Sequence, residues 1–146
     1  MIREARPGEA AAVAAGYEWL FAPPGIRPDG WEAARASTRL DRLVDASDAT
    51  MFVADRGGEV VGICSVYLDL ESVRFGRRAW VEDLAVHPDH RSAGHGKGLL
   101  DAAKDWARDR GATHLELDSG EARADAHRFY EREGPAWTSR CFGYVL

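Results

Sequence analysis

The sequence predicts an α/β fold with helices packed on a mixed sheet, and three observations carry that expectation. The spacing of apolar residues switches between helical and strand periods along the chain. The order of those periods, β-α-α-β-β-β-α-β-α-β, interleaves the two element types. The 146 residues are 45% hydrophobic and 29% charged, which suits a single domain over 1–146 with a core of its own.

Met1 to Arg6 opens in a charged, strand-like pattern, so no signal peptide is expected. Ala10, Val13, Ala14, Tyr17, Leu20 and Phe21 then recur at helical spacing. A Pro/Gly-rich stretch, from Pro23-Pro24-Gly25 to Pro28-Asp29-Gly30, leads into a second helix over Trp31 to Val44. Thr50 to Ala54 and Val60 to Leu68 are rich in β-branched and apolar residues, and Arg56-Gly57-Gly58 between them predicts a hairpin. Ala79 to Val86 is a third strand of this run, stopped by Pro88.

From Gly98 to Arg110 the helical period returns, with Leu99, Ala103, Trp106 and Ala107 on one face and Gly111 closing its end. Thr113 to Leu117 is a short strand. Asp118, with Glu121 three residues on, reads as a capping pair for a last helix bearing Ala122, Ala126, Phe129 and Tyr130 on one face. Gly134-Pro135 ends that helix, and Trp137 to Leu146 reads as a closing strand.

A formal charge of -5 gives no general attraction for nucleic acid or an anionic membrane, so any polyanion has to be gripped locally by a loop. Cys64 and Cys141 fit no zinc or CxxC spacing and read as reduced core residues. No apolar run approaches the ~20 residues of a membrane span. A soluble, cytoplasmic protein is expected.

The richest segment is Arg91-Ser92-Ala93-Gly94-His95-Gly96-Lys97-Gly98, between a predicted strand and a predicted helix. Glycines there let backbone N–H groups approach an anion, the helix N-terminus adds partial positive charge, and Arg91 and Lys97 stand beside it. A diphosphate fits such a loop, where a plain turn is the alternative. The GxxxxGK[ST] form fails because Gly98 follows Lys97 and position 91 is arginine. The GxGxxG form fails because Leu99 takes the place of its third glycine. What fits is Arg-x-x-Gly-x-Gly, met by Arg91, Gly94 and Gly96.

Val81-Glu82-Asp83-Leu84-Ala85-Val86-His87-Pro88 with that loop closely resembles motif A of the GNAT superfamily of N-acetyltransferases. Ala126-His127-Arg128-Phe129-Tyr130-Glu131-Arg132-Glu133-Gly134 resembles motif B of the same family. The resemblance implies a mostly antiparallel central sheet flanked by helices, with acetyl-CoA as cosubstrate. It places the coenzyme pyrophosphate on Arg91, Ser92, Ala93, Gly94, His95, Gly96, Lys97 and Gly98. It sets the pantetheine arm along Leu84, Ala85 and Val86, where the strand splays from its neighbour at a bulge. Two positions depart from the pattern: Arg123 stands where an asparagine is common, and Pro135 where a phenylalanine usually follows the glycine.

Acetyl transfer to an amine needs a proton acceptor, because an alkyl ammonium has a pKa near ~10.4. Glu82 is the candidate base, set on the strand that meets the acetyl end. Its other reading is a solvated carboxylate. Asp83 points to the opposite face if pairing is regular, unless the bulge intervenes. Asp118 is a second acid, read first as a helix cap. The resemblance makes Tyr130 the general acid for the departing thiolate, against a reading as a packed aromatic. His87 and His90 flank Pro88 and Asp89 in a turn, not on a helix face, and no metal is expected there. The sequence therefore predicts an acyltransferase moving acetyl from acetyl-CoA to a primary amine of a small molecule, with homodimerisation expected from family habit. The alternatives are a non-catalytic coenzyme A-binding module and a protein N-acetyltransferase. The glycine spacing excludes a dinucleotide oxidoreductase.

Overall fold

A computed structural model describes residues 1–146. Its elements run β1 (Ile2–Glu4), α1 (Ala10–Phe21), α2 (Ala33–Val44), β2 (Ala49–Arg56), β3 (Glu59–Ser72), β4 (Gly76–Val86), a 3-10 turn (Pro88–His90), α3 (His95–Asp109), β5 (His114–Glu116) and α4 (Ala124–Arg132). The five strands form one sheet in sequence order. β1 to β4 are antiparallel neighbours, and only β4–β5 is parallel. The mixed, mostly antiparallel sheet implied by the resemblance is therefore present.

Each sheet face is covered by its own helices because the strands alternate apolar side chains on both sides. Phe52, Ala54, Cys64, Val66, Ala79 and Val81 pack with Leu99, Leu100, Ala103 and Trp106 of α3. Met51, Val53, Ile63 and Ala85 pack with Val13 and Ala14 of α1 and Leu40 of α2. Gly16 lets α1 lie close, since a Cβ there would come within 3.1 Å of Ile63 Cγ2. Ile63 is fully buried at that contact. Ile63→Ala is expected to lower unfolding stability by about 2–5 kcal/mol. Urea denaturation of the variant checks this, and a loss below about 1 kcal/mol would show that α1 collapses into the space.

Two features of β4 shape the site. Ser65 pairs with Asp83 while Val66 pairs with Val81, so Glu82 is an extra residue, a bulge. The bulge shifts the alternation: Ala79 and Val81 face α3, whereas Ala85 faces α1. Glu82 and Asp83 consequently both turn toward the α1 face, where regular pairing would have separated them. The second feature is that pairing with β5 ends at Trp80↔Glu116, leaving Val81 to Val86 unpaired on that side.

Three expectations need correcting. Trp137 to Leu146 is not a strand; it runs without regular structure, with Phe142, Tyr144, Val145 and Leu146 exposed. Gly134-Pro135 ends α4, but the residues after it do not enter the sheet, and β5 remains an edge. Asp118 and Glu121 do not cap α4 either. The helix starts later, with Arg123 at its N-cap and no side-chain capping bond. The exposed Cys141 is also not a core residue, unlike the buried Cys64.

Candidate active site

Where β4 leaves β5, a cleft of about 730 Å³ opens between the free stretch of β4, the start of α3, the face of α4 and the end of α1. Leu84, Ala85 and Val86 form its floor. The strand's unpaired edge leaves backbone donors and acceptors there for an extended ligand.

The glycine loop closes one end. Gly94 has φ 82° and is the N-cap of α3, a conformation that favours glycine, and Ser92 has φ 61°. The first helical bond runs from Gly98 N–H to the Gly94 carbonyl. The N–H groups of His95, Gly96 and Lys97 thus have no partner within the helix and lie at its positive end. Arg91, Ser92, Gly94, His95, Gly96 and Lys97 line the cleft, whereas Ala93 and Gly98 do not. Gly98 has a packing role instead, because a Cβ there would stand 2.9 Å from Ile2 Cγ1. Arg91 Nε donates to the Val86 carbonyl at 3.3 Å, tying the loop to the end of β4. Lys97 is held by Asp101 at 2.6 Å and Glu133 at 3.4 Å, so its charge is already partly matched. Arg128 and Arg132 of α4 also line the cleft, together with Asp125, which pairs with Arg128, and Glu133.

On the α1 face of β4, outside the lining of the cleft, lies a pair of carboxylates. Burial raises the Glu82 carboxyl above its ordinary pKa, and the charges of Asp83 and Asp118 raise it further. Burial also raises Asp83, although it accepts a 2.8 Å hydrogen bond from the Tyr17 hydroxyl. Tyr17 stacks on Trp31 at 5.4 Å, and Phe21 meets Trp31 edge-on at 4.7 Å, making an aromatic wall beside these acids. Tyr130 lines the cleft from α4 beside Phe129. Burial pushes its phenol up to about 12, so it carries its proton at neutral pH.

The structure thus brings Tyr130 and the loop residues other than Ala93 and Gly98 to one cleft, whereas Glu82 is not among its lining residues and sits on the face shared with Asp83 and Tyr17. His87 lies edge-on to Trp19 at 5.3 Å, and His90 lies beside Arg56. Sequence reasoning missed the Tyr17–Asp83 pair, because residues 66 apart meet only through the bulge. It also missed a bond from Arg123 Nη2 to the Leu20 carbonyl at 2.9 Å. The unusual arginine at that position was the available signal.

Comparison with known proteins follows the same lines. Residues 13–134 match the model of the acetyltransferase (GNAT) family. The N-acetyltransferase YhdJ of Bacillus subtilis is 38% identical over 63% of this chain and 64% of its own length. The aminoglycoside N(6')-acetyltransferase type 1 of Stenotrophomonas maltophilia is 30% identical over 95% of this chain and 88% of its own. An aminoglycoside N-acetyltransferase solved with CoA superposes with a TM-score of 0.85 at 17% identity, covering 100% of this chain and 93% of that one. At that identity the likeness is one of fold. The chain spans just under two thirds of YhdJ. No helix is long and apolar enough to cross a membrane.

Proposed function

The chain belongs to the acetyltransferase (GNAT) family, and from that premise we propose that residues 1–146 act as one domain moving the acetyl group of acetyl-CoA to a primary amine of a small molecule by direct attack. The observation that carries this reading is the free strand edge that leads to an anion-binding helix start in one cleft. The edge of β4 left free beyond Trp80 floors the cleft at Leu84 to Val86. It runs toward Arg91 and the free N–H groups at the start of α3, an anion site in a chain of net charge -5. A substrate with a diphosphate and an extended amide-bearing arm matches both.

In this reading the diphosphate lies on the N–H groups of the loop and first turn of α3, with Arg91 beside it. The pantetheine arm extends along Leu84 to Val86 and pairs with the free edge of β4. The amine enters from the face of Tyr17 and Trp31. Glu82 takes its proton, the nitrogen attacks the thioester carbon, and backbone N–H groups near the bulge stabilise the oxyanion. The C–S bond breaks, and Tyr130 supplies the proton the sulfur needs and regains one from solvent.

The raised pKa of Glu82 suits a base working near neutral pH. Glu82→Gln is expected to lower turnover most near neutral pH and less at high pH, where free amine needs no help. Folding does not confound this. A carboxyl whose pKa is raised in the fold contributes stability below its unfolded pKa and loses that contribution as pH rises through the folded pKa. Removing the charge therefore does not destabilise the protein at neutral pH. Superimposable rate–pH profiles would remove Glu82 from the role and leave Asp118 or an ordered water as the base.

The overall reading is tested by thiol release from acetyl-CoA across a panel holding kanamycin, spermidine, 2-aminoethylphosphonate, glucosamine 6-phosphate and a peptide with a free N-terminus. Thermal shifts with acetyl-CoA, coenzyme A and NAD accompany it. A ligand at 100 times its dissociation constant stabilises by about 2.7 kcal/mol. Stabilisation by the two coenzyme A species with no thiol release from any amine would favour a binding module. Turnover of the peptide alone would make the protein a protein N-acetyltransferase.

A further inference from the structure

Arg123 joins the two walls of the cleft. Its Nη2 donates to the carbonyl of Leu20, 103 residues away, at the C-terminal end of α1. That carbonyl sits in the last turn of α1, whose C-terminal carbonyls have no partner further along the helix and gather at its negative end, where a cation is favoured. At its own position the same cation is disfavoured, because Arg123 is the N-cap of α4. Helix stability is therefore not what places an arginine here.

A second residue is shaped to the same contact. A Cβ on Gly25 would overlap the Leu20 carbonyl oxygen and stand 2.7 Å from Arg123 Nη2. Gly25 lies in the α1–α2 loop, which carries Ala22, Pro23 and Pro24 of the cleft wall and leads to Trp31 of the aromatic cluster. The bond meets a neutral carbonyl, so the guanidinium keeps its charge. That charge draws down the proton affinity of both Asp83 and Tyr130.

We propose that Arg123 is a positioning residue of the acetyl transfer: it clasps the carbonyl end of α1 from the start of α4 and so fixes the α1–α2 loop and its aromatic wall as the acceptor side of the cleft. The proposal rests on the transferase reading of this cleft and adds which residue orders its acceptor half. The loop that would hold the coenzyme is built from α3 and β4 and does not depend on this bond. Loss of the clasp therefore acts on the amine and spares acetyl-CoA.

The test compares Arg123→Gln, Arg123→Lys and Gly25→Ala with the parent. Amide hydrogen exchange of a peptide covering residues 19–31 is expected to quicken about tenfold in the Gln and Gly25 variants, the scale of one lost hydrogen bond to a charged group. Peptides from β2 and β3 should be unchanged. With the panel amine that the parent turns over fastest, KM for the amine should rise about tenfold in both variants, with the Lys variant between them and the parent. The dissociation constant of acetyl-CoA, read by calorimetry, should stay within about twofold. The double variant Arg123→Gln with Gly25→Ala should be no worse than the poorer single one, because both remove one contact. Unchanged exchange over residues 19–31, additive losses, or a loss confined to acetyl-CoA affinity would each overturn the proposal. If the parent acetylates none of the amines, the transferase reading fails, and the exchange rates alone decide whether Arg123 clasps the loop. Should Gly25→Ala fail to fold, Arg123→Gln carries the same test.

Discussion

Gly96→Asp is expected to weaken acetyl-CoA binding by about 100-fold or more while leaving the protein folded, a loss of about 2.7 kcal/mol or more. Gly96 lies in the first turn of α3 and lines the cleft. A Cβ there meets Phe129 at 3.6 Å and Val86 at 3.9 Å, which is ordinary contact, so a side chain fits without moving the backbone. What it adds is a carboxylate where the diphosphate is to meet the N–H groups. The substituent competes for those donors and repels the ligand. An acidic residue in the first turn of a helix favours the helix, so stability should hold or rise slightly. Calorimetry with acetyl-CoA, beside thermal unfolding of the free variant, separates the two effects. Equal affinity in variant and parent would show that the diphosphate binds elsewhere. A variant that neither binds nor folds would show that Phe129 has no room to spare.

The turn at the loop was legible in the sequence because its glycines stand between two periodic segments. Glycines between a strand and a helix mark a turn, and Gly94, at φ 82°, is the residue that ends it and starts α3. The first helix was equally legible: α1 matches the span of its helical period, because Val13, Ala14 and Tyr17 face the sheet. A bulge on β4 was expected from the family resemblance alone, and its place at Glu82 was not legible in the residues. It inserts one residue into the pairing of β3 with β4, and an extra residue has no composition of its own. Its consequence is chemical, since it moves Asp83 to the face of Tyr17 and gives Glu82 a charged neighbour that raises its pKa. The closing segment misled for the opposite reason. Cys141, Phe142, Tyr144 and Val145 have strand-like composition, but a strand needs a partner, and composition does not say whether one is reached. The cap expected from Asp118 failed similarly. The spacing to Glu121 was right for a capping box, but the chain delays the helix until Ala124 and leaves Asp118 beside Glu82 and Cys141.

Tyr130→Phe is expected to lower the maximal rate on the order of 100-fold, with acetyl-CoA binding nearly unchanged. Removing one oxygen keeps the ring that packs beside Phe129, so the fold is preserved. Burial pushes the phenol up to about 12, which guarantees a proton to give but makes giving it uphill. A thiol has an ordinary pKa near ~8.5, so its thiolate is a fair leaving group and a weak proton acceptor. Both facts limit the gain from an acid, and general acids span ~10²–10⁴-fold, so the low end is expected. The charge of Arg123 works against the burial and narrows the gap between phenol and thiol. The rate loss in Tyr130→Phe should therefore overlap with any rate loss in Arg123→Gln instead of adding to it. Steady-state kinetics on variants shown to fold and to bind acetyl-CoA normally makes the measurement. A change below about threefold would return Tyr130 to the part of a packed aromatic. A loss seen only in coenzyme affinity would place its hydroxyl on the bound coenzyme A as a binding contact, with the sulfur leaving unaided as thiolate.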